Sequence, residues 1–172
     1  MGIKMEICIY ELNDNLLAKY DIEKFLLDMV KLCYNMDYTP EYHQDIKNLD
    51  EYYLKPANNT FMLAVDSGKE ELVGTCAIRA YDRDFKIKDR RYNEDETGSI
   101  YRLFVDPEYR HKGIATKMLE KIEEFCKNNY KEIYLHTQKD SYGGLPFWLS
   151  RDYVIVEESN DEFGTIHMEK IL

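Results

Sequence analysis

The sequence predicts a mixed α/β (α+β) fold: one sheet of about seven strands with helices on both faces. Three observations lead there. Short segments rich in β-branched and aromatic residues alternate with segments of helical periodicity, in the order strand, two helices, three strands, helix, strand, helix, two strands. The length of 172 residues supports one sizeable core and little more, so residues 1–172 are expected to form a single domain. The composition, 44% apolar and 33% charged, is that of a globular chain.

Met5 to Tyr10 alternates well enough for a first strand. Asn13 or Asp14 can cap a helix reaching about Tyr34, because Ile22, Phe25, Leu26, Met29, Val30 and Cys33 recur at three- and four-residue spacing. Thr39-Pro40 starts a second helix, with proline at the first helical position, where its missing N–H costs nothing. That helix must end near Pro56. Thr60 to Val65 reads as a strand, Asp66 to Lys69 as a turn, and Glu71 to Ala80 as the antiparallel partner.

Tyr81 to Thr97 is a long, highly charged connection, of a length that is unusual between strands unless the loop is functional or mobile. Ile100 to Val105 is the next strand, stopped by Asp106-Pro107. Gly113 to Asn129 is the clearest helix, with Ile114, Met118, Ile122 and Phe125 on one face. A strand over Glu132 to Thr137, a short helix over Leu145 to Arg151, and strands over Tyr153 to Glu158 and Phe163 to Leu172 complete the chain.

The formal net charge of −10 argues against nucleic acid, whose phosphates need a clustered basic surface. It suits a cationic acceptor such as a polyamine, or serves solubility alone. No run is apolar and long enough to span a membrane, and the opening Met-Gly-Ile-Lys-Met-Glu lacks the apolar core of a signal peptide. The expectation is a cytoplasmic protein without membrane partners. Cys8, Cys33, Cys76 and Cys126 are scattered through apolar stretches, and the four histidines show no ligand spacing. Buried free thiols and no metal are expected.

The stretch from Ile100 to Ala115 carries chemistry. A strand ends at a proline, a short basic loop follows, and a long amphipathic helix starts at Gly113. A helix N-terminus presents backbone N–H groups and the positive end of its dipole to an anion. Arg110 and Lys112 add charge, while Gly113 and Ala115 allow close approach to the backbone. A pyrophosphate fits that chemistry. By itself the loop is more often a plain strand-to-helix turn with solvated charges.

Arg110-His111-Lys112-Gly113-Ile114-Ala115 matches the R/Q-x-x-G-x-G/A signature of the GNAT superfamily of acyl-CoA N-acyltransferases, and the element order resembles that family from Met5 to the C-terminus. The resemblance implies a mostly antiparallel sheet, splayed at the coenzyme A site. It implies acetyl-CoA as co-substrate, a small-molecule or peptide amine as acceptor, and a possible homodimer. Carried over, Leu103, Phe104 and Val105 would meet pantetheine and the acyl carbonyl. Arg110, His111, Lys112, Gly113, Ile114 and Ala115 would cradle the pyrophosphate, with Thr116 adjoining and Ser141 as a further polar contact. In that family the acceptor site is built by the first helices and variable loops, which here means Tyr34 to Pro56 and Tyr81 to Thr97.

Two departures bear on catalysis. The family's last motif, about N-x-x-A-x-x-F-Y-x-x-x-G-F, falls on Ser141, Gly144, Phe147, Trp148, Asp152 and Tyr153. Trp148 lacks the hydroxyl of the tyrosine that protonates the departing thiolate. Ser99 stands where many members place a base glutamate. Tyr142 is the substitute acid the sequence offers, Glu96 the nearest carboxylate, and His136 a candidate proton relay. Each has an ordinary reading as well: a surface tyrosine, a solvated charge, a packed strand histidine. The two functional readings are an active N-acetyltransferase and a coenzyme A-binding module that has lost catalysis.

Overall fold

The computed structural model describes residues 2, 4–141 and 143–172. Its seven strands are β1 (Ile7–Glu11), β2 (Thr60–Asp66), β3 (Glu71–Ala80), β4 (Thr97–Val105), β5 (Glu132–Gln138), β6 (Val154–Glu158) and β7 (Thr165–Ile171). They form one sheet in the order β1-β2-β3-β4-β5-β7-β6. Five α-helices accompany them: α1 (Asp14–Lys19), α2 (Ile22–Tyr34), α3 (Pro40–Lys47), α4 (Ile114–Lys127) and α5 (Gly144–Ser150). The residues gather into two compact units, 1–79 with 101–124, and 80–100 with 125–172.

In the first unit β1 pairs antiparallel with β2, Ile7 opposite Asp66, and β2 pairs antiparallel with β3. Its core joins Ile22, Leu26, Met29 and Val30 of α2 to Phe61, Leu63 and Val65 of β2, with Tyr101 and Phe104 of β4. Each such side chain, fully buried, contributes about 1.5–3 kcal/mol of transfer free energy.

The single long helix expected from Asn13 to Tyr34 is instead two. Asn13 caps α1 by accepting from Leu16 N–H at 2.9 Å, and Asp21 caps α2 by accepting from Lys24 N–H at 3.0 Å. An aspartate that can satisfy the first amides of a new helix ends the old one. The second expected helix is also interrupted. Asn48 turns its side chain back onto Gln44 O at 2.7 Å, and beyond it a wide π-turn spans Asp50–Leu54. Strand β4 starts at Thr97, three residues before the expected Ile100, because Thr97 already pairs with Glu132.

The second unit is built on a ladder from β5 through β7 to β6, both pairings antiparallel. The parallel ladder of β4 with β5 covers Thr97–Glu132, Gly98–Ile133 and Ser99–Tyr134. Asp152, at the position where the family motif has glycine, sits in the left-handed region at φ 69°. Aspartate tolerates that region through local hydrogen bonding of its short side chain. The cysteines only partly follow expectation: Cys76 and Cys126 are buried, Cys8 is half-buried, and Cys33 is exposed on the outer face of α2. Among the described residues no helix is long and apolar enough to cross a membrane.

Candidate active site

The basic loop lies wholly in the first unit, and its supports are traceable bond by bond. Asp106 N–H donates to Val73 O at 2.8 Å, and the Asp106 carboxylate accepts from Glu108 N–H at 2.9 Å. Pro107–Tyr109 then form one 3-10 turn, anchored by the Tyr109 hydroxyl on Asp66 Oδ2 at 2.7 Å. Arg110 folds back, its Nε on Val105 O at 3.0 Å, so the signature arginine braces the end of β4. His111 and Gly113 both adopt left-handed φ, 62° and 79°, on either side of the exposed Lys112. Such alternation turns successive amides into an anion-binding concavity.

Among the described residues, Lys117 is the first amide after Arg110 with a backbone acceptor, Gly113 O at 3.1 Å. The amides from His111 to Thr116 are left to solvent or a ligand. A Cβ placed on Gly113 would meet nothing within 4 Å, so open space lies over the loop. Ile114 is buried beneath, while Ala115 and Thr116 are half-buried at the rim. Unpaired amides, two cations and an open face fit a pyrophosphate.

The strand leading into this loop is not regular. Arg102 has φ 54°, a left-handed residue inside β4. Its effect is visible in packing: Tyr101 and Phe104, three apart, both enter one core, where regular alternation would send them to opposite faces. Buried groups hold the irregularity. Arg102 Nε donates to Asp45 Oδ2 at 3.0 Å, and its Nη2 donates to Asp45 Oδ1 at 2.6 Å and Tyr42 O at 2.7 Å. The Tyr53 hydroxyl donates to Asp45 Oδ2 at 2.6 Å, and the Thr75 hydroxyl to Arg102 O at 2.7 Å. Arg79 reaches Asp45 at 3.9 Å and lies over the Tyr52 and Tyr101 rings. Burial alone would raise the Asp45 pKa, but bonds and charge from Arg102 outweigh it and hold the carboxyl below its ordinary range. Leu103 and Val105 are half-buried on either side of Phe104. Asp45, Tyr53 and Arg79 belong to no motif in the sequence, although an arginine amid apolar strand residues signals a buried counter-charge.

In the second unit the candidate catalytic residues have varied surroundings. Glu96 pairs with Lys131 at 2.6 Å, and that ammonium holds its carboxyl below the usual range. His136 packs edge-on against Phe85, ring centroids 5.3 Å apart. Burial, then the charges of Arg83 and His167, push its pKa down to about 3, so it is neutral and weakly basic at pH 7. Ser141 Oγ lies 3.0 Å from Thr137 Oγ1, tucked where a side chain on Gly144 would collide at 2.5 Å. Trp148 is buried between Phe147 and Tyr153, each centroid 5.1 Å away. Ser99 is buried within β4. Tyr142 lies outside the described residues.

The sequence matches the acetyltransferase (GNAT) family over residues 24–153, and the chain belongs to that family. An uncharacterized N-acetyltransferase of Archaeoglobus fulgidus is 30% identical over 136 residues, covering 78% of this chain and 87% of that protein. Human N-acetylaspartate synthetase is 34% identical over 96 residues, 55% of this chain. Only 28% of that synthetase is matched, so the chain spans little more than a quarter of its length. Among solved structures, a GNAT-family acetyltransferase from Staphylococcus aureus superposes with TM-score 0.72 at 21% identity, covering 97% of this chain and 99% of that one. The PaiA N-acetyltransferase of Thermoplasma acidophilum, in complex with coenzyme A, gives 0.68 at 19% identity, covering 98% and 100%.

Proposed function

We propose that residues 1–172 work as one acetyltransferase domain that moves an acetyl group from acetyl-CoA to a primary amine of a small molecule or peptide. The observation that carries this reading is the loop from Arg110 to Thr116, whose open amides and cations suit the pyrophosphate of the thioester carrier. Family membership and a relative solved with coenzyme A support it. The name of the human synthetase adds aspartate to the acceptors worth testing.

The transfer is direct. The amine nitrogen, once neutral, uses its lone pair to bond the thioester carbonyl carbon, the C–S bond breaks, and the thiolate leaves to be protonated. The net products are an amide and the free thiol. The N–H of Phe104 or Val105 on the irregular strand would serve the developing oxyanion. No covalent enzyme intermediate is required: the buried Cys76 thiol is held protonated, far above its ordinary range. With Glu96 ion-paired and His136 neutral, the ammonium proton would leave through water, and Tyr142 is our proposed donor to the thiolate.

Acetyl-CoA is incubated with a panel of amines while thiol release is followed. Amine-stimulated release is expected, and its absence with every amine, despite saturable coenzyme A binding, would overturn the catalytic reading. Gly113→Glu places a side chain and a negative charge in the open face of the loop. Its folded protein should lose the stabilisation of about 2.7 kcal/mol that ligand at a hundred times its Kd confers on the parent. Undiminished coenzyme A affinity in that variant would place the phosphates elsewhere.

A further inference from the structure

The segment between β3 and β4 has no regular structure, yet it is pinned along its length. Tyr81 N–H donates to Thr97 O at 2.8 Å, closing its base, and Arg90 N–H donates to Ile87 O at 3.2 Å, closing a turn. Lys88 N–H reaches Glu157 Oε1 of β6 at 3.2 Å. Glu169 of β7, buried, accepts from Arg90 Nε at 3.0 and 3.1 Å and from the Tyr92 hydroxyl at 2.5 Å. A loop tied to two strands in this way borders a half-open cleft.

That space is a cavity of about 380 Å³, the size of an amino acid with room for water. Tyr81 and Ile87 are buried at it, and both pack in one cluster with Tyr134. Its charge is the reverse of the molecule's. Arg83, Lys86, Arg90 and Arg91 line it against the one acid Asp84, in a chain whose net charge is −10. Arg90 is committed to Glu169. Lys86 and Arg91 are exposed, and among the described residues neither is in an ion pair. A cationic wall on an acidic protein concentrates small anions where the overall field would repel them.

We propose that this cavity is a binding site for a small carboxylate-bearing ligand, which Lys86 and Arg91 receive through charge-assisted hydrogen bonds. The proposal stands apart from the acetyltransferase reading above. It reverses, locally, the preference for cations that the net charge alone suggests. Phe85 and Tyr92 supply apolar surface for the ligand's carbon skeleton.

The test separates binding from turnover. L-aspartate and its counterpart without carboxylates, asparaginamide, are titrated calorimetrically into the full chain in the presence of coenzyme A. Aspartate is expected to bind at least about tenfold more tightly, and Lys86→Glu with Arg91→Glu to erase that preference while leaving coenzyme A affinity unchanged. Raising salt from about 0.05 to about 0.5 M should weaken aspartate binding and leave asparaginamide binding little changed. Equal binding of the two compounds to the parent protein, or unaltered discrimination in the double variant, overturns the proposal. A loss of coenzyme A affinity in the variant also overturns it, by giving the cavity to the co-substrate. Thiol release is scored separately. Thiol release with or without amine bears on the acetyltransferase reading alone, and the calorimetric difference between the two compounds bears on the cavity alone.

Discussion

Asp45 is the residue on which the irregular strand depends. Its carboxylate is buried and meets two guanidiniums and a phenol, so removing its charge leaves Arg102 and Arg79 facing each other without their anion. Asp45→Asn should cost about 3 kcal/mol, read as a shift in the urea midpoint, and should weaken coenzyme A binding through a slackened β4. A change below about 0.5 kcal/mol would mean that backbone bonds alone keep Arg102 in its left-handed conformation. Legibility at this scale was uneven. The loop from Arg110 to Thr116 stands out as a strand-stop, cations and a glycine before a helix, a pattern that ordinary turns share until the element order around it is read. Asp45 does not stand out, since an acid on an amphipathic helix looks the same whether it meets water or arginine.

At the scale of elements, the helices and strands were readable wherever one face was apolar, and their breaks were not. The α1–α2 boundary needed the choice between Asp21 as a helix interior residue and Asp21 as a cap, and periodicity runs through both. The irregularity in β4 was hidden for a related reason: Tyr101-Arg102-Leu103-Phe104 alternates poorly, but a short strand gives too few residues to tell a bulge from noise. The packing of β3 on this region gives a direct test. A Cβ at Gly74 would stand 3.0 Å from Met118 Cε, 3.1 Å from Phe104 O and 3.2 Å from Ala64 Cβ. Met118 can yield, while the β4 carbonyl cannot without moving the strand. Gly74→Ala should therefore destabilise by about 1–3 kcal/mol in thermal unfolding. Its affinity for coenzyme A should fall too, and a variant as stable as the parent would show that the sheet has slack there.

For the molecule as a whole, the buried ionisable groups set the response to acid. His136 takes up a proton at about pH 6.5 when unfolded but only near pH 3 when folded, so across that window the unfolded chain binds more protons. Stability accordingly falls as pH drops from 6.5 towards 3, and the depressed pKa values of His43 and His167 act in the same direction. Asp45 adds a second loss at lower pH: its folded pKa is depressed, so its contribution is complete above the unfolded value of about 3.9 and disappears as pH falls through the folded one. His136→Leu should flatten the melting temperature between pH 6.5 and 4, and an unchanged slope would acquit this histidine. The fold class was legible from element order. The charged loop from Tyr81 was legible only as a place to look, because long-range bonds to Glu157 and Glu169 decide its shape.

Cys33 ends up in a useful position. Its sulfur lies 3.9 Å from Arg110 Nη2 and faces water, whereas Cys76 and Cys126 are enclosed. A maleimide dye would go to it ahead of those two and leave a native reporter beside Arg110, so occupancy of the proposed phosphate site could be followed by fluorescence with no engineered label.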